Sequence, residues 1–317
     1  MRTFFLLFLL TFPLLSCSGS KAAPIAHDYP LTRITGHVYV IHGPNEVPGK
    51  DNQGFYNNPG FVLTRGGVVV IDPGASVQVG EMVLKKIASV TRDPVIAVFN
   101  THVHGDHWLG NQAIKAAYPK AVIYAHPKTI EEIRAGEGDQ WLKRLDDATQ
   151  GATRGTAVVA PDIGLDNGDV LQLHGMHFHI YHNARAHTDS DIMIEVPEEG
   201  VIFLGDIVLN HRIAANFPEQ SDVRGQIAAI DMALDTRANH FIPGHGLSGD
   251  REIAQTERAF LVALHAAVKK YHDQGLTDFE MKEKVMNDLS AYGKWVGFNG
   301  MGRVISAAYR EIEIESF

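Results

Sequence analysis

Cysteine is almost absent from this chain: of its 317 residues only Cys17 carries a thiol. A single thiol excludes an internal disulfide and leaves the body of the protein no thiolate with which to hold a metal. Positive charge is also short, with 28 Lys and Arg against 37 Asp and Glu and a formal net charge of −9. That balance offers no basic field for a phosphate backbone, so nucleic acid is not expected as a partner. Long apolar runs are missing except at the N-terminus, where Met1-Arg2 precedes an apolar stretch from Phe4 to Leu15. About a dozen residues are too few for a comfortable membrane span, and the pattern reads as an export signal. Cys17, after Leu14-Leu15-Ser16, stands where a bacterial lipobox places the residue to be lipidated; ordinary cleavage nearby fits the same pattern. Residues 1–16 are therefore read as a signal peptide and 17–30 as a linker. The expected location is the periplasm, membrane-anchored through Cys17 or otherwise secreted.

Histidine, by contrast, is plentiful, with 17 copies. Thr101-His102-Val103-His104-Gly105-Asp106-His107 packs three imidazoles and a carboxylate into six residues directly after the apolar run Val95 to Phe99. The run predicts a buried strand, and Gly105 followed by a helical pattern puts these donors on a strand-to-helix turn that can aim them at one point. The same local logic recurs three times. His187 lies in Ala186-His187-Thr188-Asp189 ahead of the strand-like Ile192 to Val196; Asp206 ends Val201 to Gly205; His245 follows Phe241 to Gly244. Five imidazoles and two carboxylates are what two adjacent zinc ions need once water is added.

This set resembles the metallo-β-lactamase superfamily, whose HxHxDH signature stands here as His102, His104, Asp106 and His107. The resemblance runs in order through His187, Asp206 and His245 and covers residues 31–250. It implies that His102, His104 and His187 hold one zinc, that Asp106, His107 and His245 hold the other, and that Asp206 bridges them. Asp72, in Val69-Val70-Ile71-Asp72-Pro73-Gly74, matches the family's earlier strand-end aspartate, which supports the ligand loop from behind. A turn-initiating Asp before Pro-Gly is the other reading of that residue. Where the cysteine-ligand β-lactamases carry their thiol this chain has Asp206, and Leu209 replaces the lysine that grips the drug's carboxylate. The surroundings still resemble that branch more than glyoxalase II.

The implied activity is that of an exported dinuclear zinc hydrolase cleaving an amide, ester, thioester or lactone bond of a small-molecule substrate. Asp106 would orient the attacking water or pass on its proton. The resemblance is nearest to periplasmic hydrolases associated with quinoprotein and sulfur-oxidation systems. β-Lactam hydrolysis is one alternative. Iron-dependent persulfide dioxygenation is a second, and a non-catalytic binding module is the third.

The apolar patterning predicts strands at Ile34 to Ile41, Gly60 to Thr64, Val68 to Ile71, Ala121 to Ala125, Val170 to Tyr181, Ile192 to Val196 and Val201 to Leu204. Helices are predicted at Val77 to Val90, Trp108 to Tyr118, Lys128 to Ala148 and Ser221 to Asp235. Two β-rich halves flanked by helices imply an α/β protein built as an αββα sandwich, with the metals at one edge. Residues 251–317 read as a helical C-terminal extension of the 31–250 catalytic domain, with helices at Arg251 to Tyr271, Asp278 to Leu289 and Met301 to Ile314. The Gly-, Asn- and Pro-rich segment His42 to Pro59 is either a mobile flap tipped by Phe55 and Tyr56 or a plain surface hairpin. Trp108 is expected in the core. His126, His177, His179, His182, His211 and His265 are read as structural or exposed rather than as ligands, with His211 and Arg212 placed to meet an anionic substrate group.

Overall fold

The computed structural model describes residues 21–213 and 219–315, so the signal segment and Cys17 lie outside the described residues. Two sheets form the centre. The first runs in sequence order: β1 (Leu31–Arg33), β2 (Val38–Ile41), β3 (Gly60–Thr64), β4 (Gly67–Ile71), β5 (Val95–Phe99), β6 (Val122–Ala125) and β7 (Ile163–Gly164). Its first four strands pair antiparallel and the rest parallel. The second sheet contains β8 (Val170–Leu173), β9 (Met176–Tyr181), β10 (Met193–Val196), β11 (Val201–Leu209) and β12 (His240–His245), ordered β12-β11-β10-β9-β8.

Three apolar layers follow from these faces. Between the sheets, Val38, Val62, Ile71 and Phe99 meet Phe178, Ile194, Phe203 and Ile242. On the outer face of the first sheet, Phe61, Val70, Val98 and Ile123 receive Val79, Val83 and Ile87 of α1 (Val77–Ala88) and Ile114 of α3 (Asn111–Ala117). On the outer face of the second, Met193, Ile202, Leu204 and Phe241 are covered by α6 (Val223–Asp235) and by the three long C-terminal helices, α7 (Arg251–His272), α8 (Asp278–Asp288) and α9 (Gly302–Glu315). This is the αββα sandwich that the patterning implied, and the C-terminal helices are part of its fourth layer. β4 and β5, buried along both faces, explain why their sequences read as continuous apolar runs instead of alternating ones.

Several elements differ from their sequence outlines for identifiable reasons. The strand expected over Ile34 to Ile41 is a hairpin, because Arg33 donates through Nε to Thr35 O (2.9 Å) and through Nη2 to Gly36 O (2.9 Å) and holds a turn there. The helix expected from Trp108 to Tyr118 is split into α2 (Gly105–Trp108) and α3 at Gly110. A Cβ at Gly110 would lie 2.3 Å from Pro73 O, so the loop carrying Asp72 packs into the gap. The helix expected over Lys128 to Ala148 is interrupted by a wide turn at Ile133–Glu137, where Gly136 takes φ +117°, between α4 (Pro127–Glu132) and α5 (Gly138–Ala148). Phe55 and Tyr56 do not tip a flap: both are buried, with Phe55 edge-on to Tyr29, while Glu46, Val47, Lys50 and Asp51 are the exposed residues of that segment. Asn58 pins the segment by donating through Nδ2 to Pro243 O (2.9 Å) and Gly246 O (2.7 Å). Trp108 is fully buried and donates to Val103 O (2.8 Å), which makes it a core residue.

Candidate metal centre

All seven donor residues converge at one edge of the sandwich. His102, His104, Asp106 and His107 come from the turn after β5, His187 from the loop after β9, Asp206 from within β11, and His245 from the end of β12. Every one of them is buried. Potential ligand atoms of His102, His104, His187 and Asp206 lie within 4.8 Å of one another, and those of Asp106, His107 and His245 form a second such group.

Asp206 joins the two groups. Its Oδ2 is 3.4 Å from His187 Nε2 and 4.0 Å from His102 Nε2, whereas Oδ1 is 3.2 Å from His107 Nε2 and 3.4 Å from His245 Nε2. Asp106 Oδ2 closes the second group at 3.4 Å from His107 Nε2 and 3.3 Å from His245 Nε2. Gly244 makes this possible, since a Cβ there would stand 2.0 Å from Asp206 Oδ1.

The outer nitrogens are oriented by oxygens. His107 Nδ1 lies 2.8 Å from Asp72 Oδ2, and His245 Nδ1 lies 2.8 Å from Tyr56 O. Thr101 donates its hydroxyl to Asp72 Oδ2 (2.7 Å), which leaves that hydroxyl free to accept from His102 Nδ1 at 3.0 Å. Asp72 Oδ1 accepts the Thr101 amide (2.8 Å), so one carboxylate grips both the loop and a ring. A proton held on Nδ1 leaves Nε2 with a bare lone pair facing inward. His102 Nε2, His107 Nε2 and Asp206 Oδ1 are buried with no hydrogen-bond partner among the described residues. Leaving such atoms unsatisfied costs about 1–3 kcal/mol each, which a cation at their common focus would remove. The residues fit a metal pair.

Electrostatics divide the two groups. Burial and the neighbouring imidazoles hold His102 well below the ordinary histidine range and His104 at about 3, so both are neutral ligands-in-waiting. Burial works the same way on His107 and His245, but the adjoining carboxylates outweigh it and raise both. Asp106 and Asp206 stay well below the usual carboxylate range despite burial, because His107 and His245 face them.

The family model for the metallo-beta-lactamase superfamily matches residues 53–245, more than half of the chain. The chain belongs to the metallo-β-lactamase superfamily. Metallo-beta-lactamase type 2 of Bacteroides fragilis is 21% identical over 262 residues, 80% of this chain and 94% of that protein. A hydroxyacylglutathione hydrolase of Synechococcus sp. is 36% identical over 116 residues, which cover 34% of this chain and only 36% of that protein. Among solved structures, the stereoselective inverting sec-alkylsulfatase from Pseudomonas sp. superposes with TM-score 0.64 at 16% identity over 89% of this chain and 50% of its own. These likenesses make the protein a metallo-hydrolase homologue with the metallo-β-lactamase fold.

In this superfamily member the cavity over the donors, about 220 Å³, is lined by Tyr56 and Arg212, which the sequence pointed to, and by Trp141 and Arg303, which it did not. Tyr56 stacks on His245 (ring centroids 5.1 Å apart), and burial together with the facing Asp106 carboxylate raises its phenol well above the ordinary value. Arg303, from α9, lines the cavity together with Arg212, while Trp141 packs on His104 at 4.9 Å. No sequence signal marks Arg303, since it lies 58 positions beyond His245. Val296 explains how the C-terminal segment reaches the site: its amide donates to His211 O (3.0 Å) and its carbonyl accepts from Ile213 N (2.8 Å). Unlike Arg212, His211 does not line this cavity. It sits exposed at φ +58° with its ring 5.7 Å from Trp295. His177 and His179 are partly exposed and face Glu198 and Glu195, and His265 lies on α7 away from the centre.

Proposed function

We propose that the protein is an exported dinuclear zinc hydrolase acting on an amide, ester, thioester or lactone whose substrate also carries an anionic group. The division of the Asp206 carboxylate between two histidine groups carries this reading. His102, His104 and His187 would hold one ion, Asp106, His107 and His245 the other, and Asp206 both. Zinc in such a pair would lower the pKa of a bound water towards about 7 and would polarise a carbonyl.

The chain's own residues supply the rest. Asp106, at the open end of the second group, is placed to orient the attacking water and to take its proton. Tyr56 remains protonated and faces Asp106, so it restrains that carboxylate as a donor only. Arg212 has no carboxylate within 4 Å among the described residues, and its guanidinium lies 5.6 Å from the Tyr56 ring while Nη1 donates to Glu46 O (2.8 Å). That leaves its charge available to the cavity, where Arg303 also lies. A guanidinium lining the cavity favours a carboxylate or a similar oxyanion on the substrate. The export signal and Cys17 support delivery to the periplasm on a lipid anchor.

The test pairs metal analysis with turnover. Metal-loaded protein is expected to hold zinc at the seven-residue centre and to cleave carboxylate-bearing esters, thioesters or lactones, with neutral analogues showing a higher KM. Asp206→Ala should lose the second ion and most turnover. One iron per chain with oxygen consumption would replace hydrolysis with oxidation, and full metal occupancy with activity in Asp206→Ala would remove that residue from the centre. Arg212→Met should raise KM for the charged substrate alone; equal KM changes for charged and neutral esters would refute the anion requirement.

A further inference from the structure

A second constellation of ligand-type residues lies outside the centre. His126 follows β6, Asp166 lies in the turn after β7, and His182 follows β9, so three strand ends from both sheets deliver them. One potential ligand atom from each falls within 4.8 Å of the others. The His126 and His182 rings are stacked with centroids 4.1 Å apart and planes 25° apart, and His126 Nε2 stands 3.8 Å from Asp166 Oδ1. We propose that His126, Asp166 and His182 form a peripheral binding site for one zinc-class divalent ion, separate from the hydrolytic pair.

Ligand chemistry supports this set. His182 Nδ1 lies 2.7 Å from Asp191 O, which accepts its proton and leaves Nε2 as a lone pair. Burial and the adjoining His182 ring hold His126 below the ordinary histidine value, which favours its neutral, metal-competent form. Coordination through His126 Nε2 places the remaining proton on Nδ1 and gives up the 3.3 Å cap bond from Lys128 N. One such cap bond is small beside three ligand bonds. Two imidazoles and one carboxylate select a zinc-like cation over calcium or magnesium, and the exposure of Asp166 leaves room for water as the fourth ligand.

The site also has a structural consequence. The carbonyl that His182 grips belongs to Asp191, whose carboxylate accepts the Thr188 amide (2.6 Å) and hydroxyl (2.9 Å) next to His187. An ion on His182 would therefore brace the loop that supplies one donor to the hydrolytic centre.

Zinc titration of the full-length, metal-stripped protein against a chromophoric chelator tests the proposal. The wild type is expected to bind one more, weaker equivalent than Asp166→Asn and His126→Gln, with at least a tenfold weakening of that step in each. Asp166 is exposed, so its variant tests the site without threatening the fold. Asp206→Ala should keep the weaker equivalent while losing a tight one, which separates this site from the hydrolytic pair. An identical weak step in the wild type and both variants would overturn the proposal, as would its absence from the wild type.

Discussion

Asp72 Oδ2 lies 2.8 Å from His107 Nδ1, and the same carboxylate takes the amide and hydroxyl of Thr101. A residue at the end of β4 thus fixes both the tautomer of a ring and the loop that carries it. Asp72 adopts φ +50°, a left-handed conformation that Asp and Asn tolerate better than most residues.

Asp72→Asn preserves shape and backbone but weakens the acceptor. Metal affinity at the His107 side is expected to fall about 10- to 100-fold, with little change in folding. Chelator competition beside a thermal melt measures both quantities. Unchanged affinity would show that Asp72 only shapes its turn.

Gly244→Ala is expected to be disproportionately damaging for one methyl group. Its Cβ would occupy space 2.0 Å from Asp206 Oδ1 and 2.8 Å from the Gly205 backbone, so the carboxylate must move. A displacement near 1 Å costs about a hundredfold in rate. Turnover and metal content should both drop while the far-ultraviolet dichroism stays that of the wild type.

Tyr56→Phe keeps the stacking on His245 and deletes only the hydroxyl facing Asp106. Turnover should fall about tenfold, matching the lower end for a hydrogen bond to a charged group, with metal content retained. Tyr56→Ala should additionally lose metal, because the ring that packs against His245 is gone. Wild-type turnover in Tyr56→Phe would assign Tyr56 to packing alone.

Asp191 provides a pH test. Burial pushes its carboxyl from 3.8 up to about 8, with the charges of Asp206 and Asp189 adding to the effect. The folded protein then keeps a proton that the unfolded chain releases, so the linked stability is fully present below about pH 4 and is lost as pH rises through about 8. Asp191→Asn has no proton to lose. Chemical denaturation at about pH 5 and about pH 9 should show the wild type losing stability relative to this variant; parallel curves would rule out the raised value.

The donor-type residues were legible in the sequence because they stand beside apolar runs, where a chain reversal can present a side chain; Asp206 departs from this, since β11 runs on past it to Leu209. The sandwich was legible for the same reason, since strand periodicity and helix periodicity differ. Boundaries were less so. Gly110 reads as one tolerable glycine in a helix, and only the approach of Pro73 shows why the helix breaks there. The segment carrying Phe55 and Tyr56 reads as a flap or a plain surface hairpin because Gly- and Asn-rich sequence implies exposure, but Asn58 ties it to the backbone around Gly244.

The sequence by itself determined the superfamily, the seven donors and the acidic, thiol-poor character that restricts their chemistry, because these depend on residue types and local periodicity. Tertiary structure alone decided that Tyr56 stacks on His245, that Arg303 enters the cavity and that His126 meets His182 across two sheets. The physical reason is distance along the chain: each of these relationships joins residues tens of positions apart, which local spacing cannot encode and only the packing of separate layers brings together.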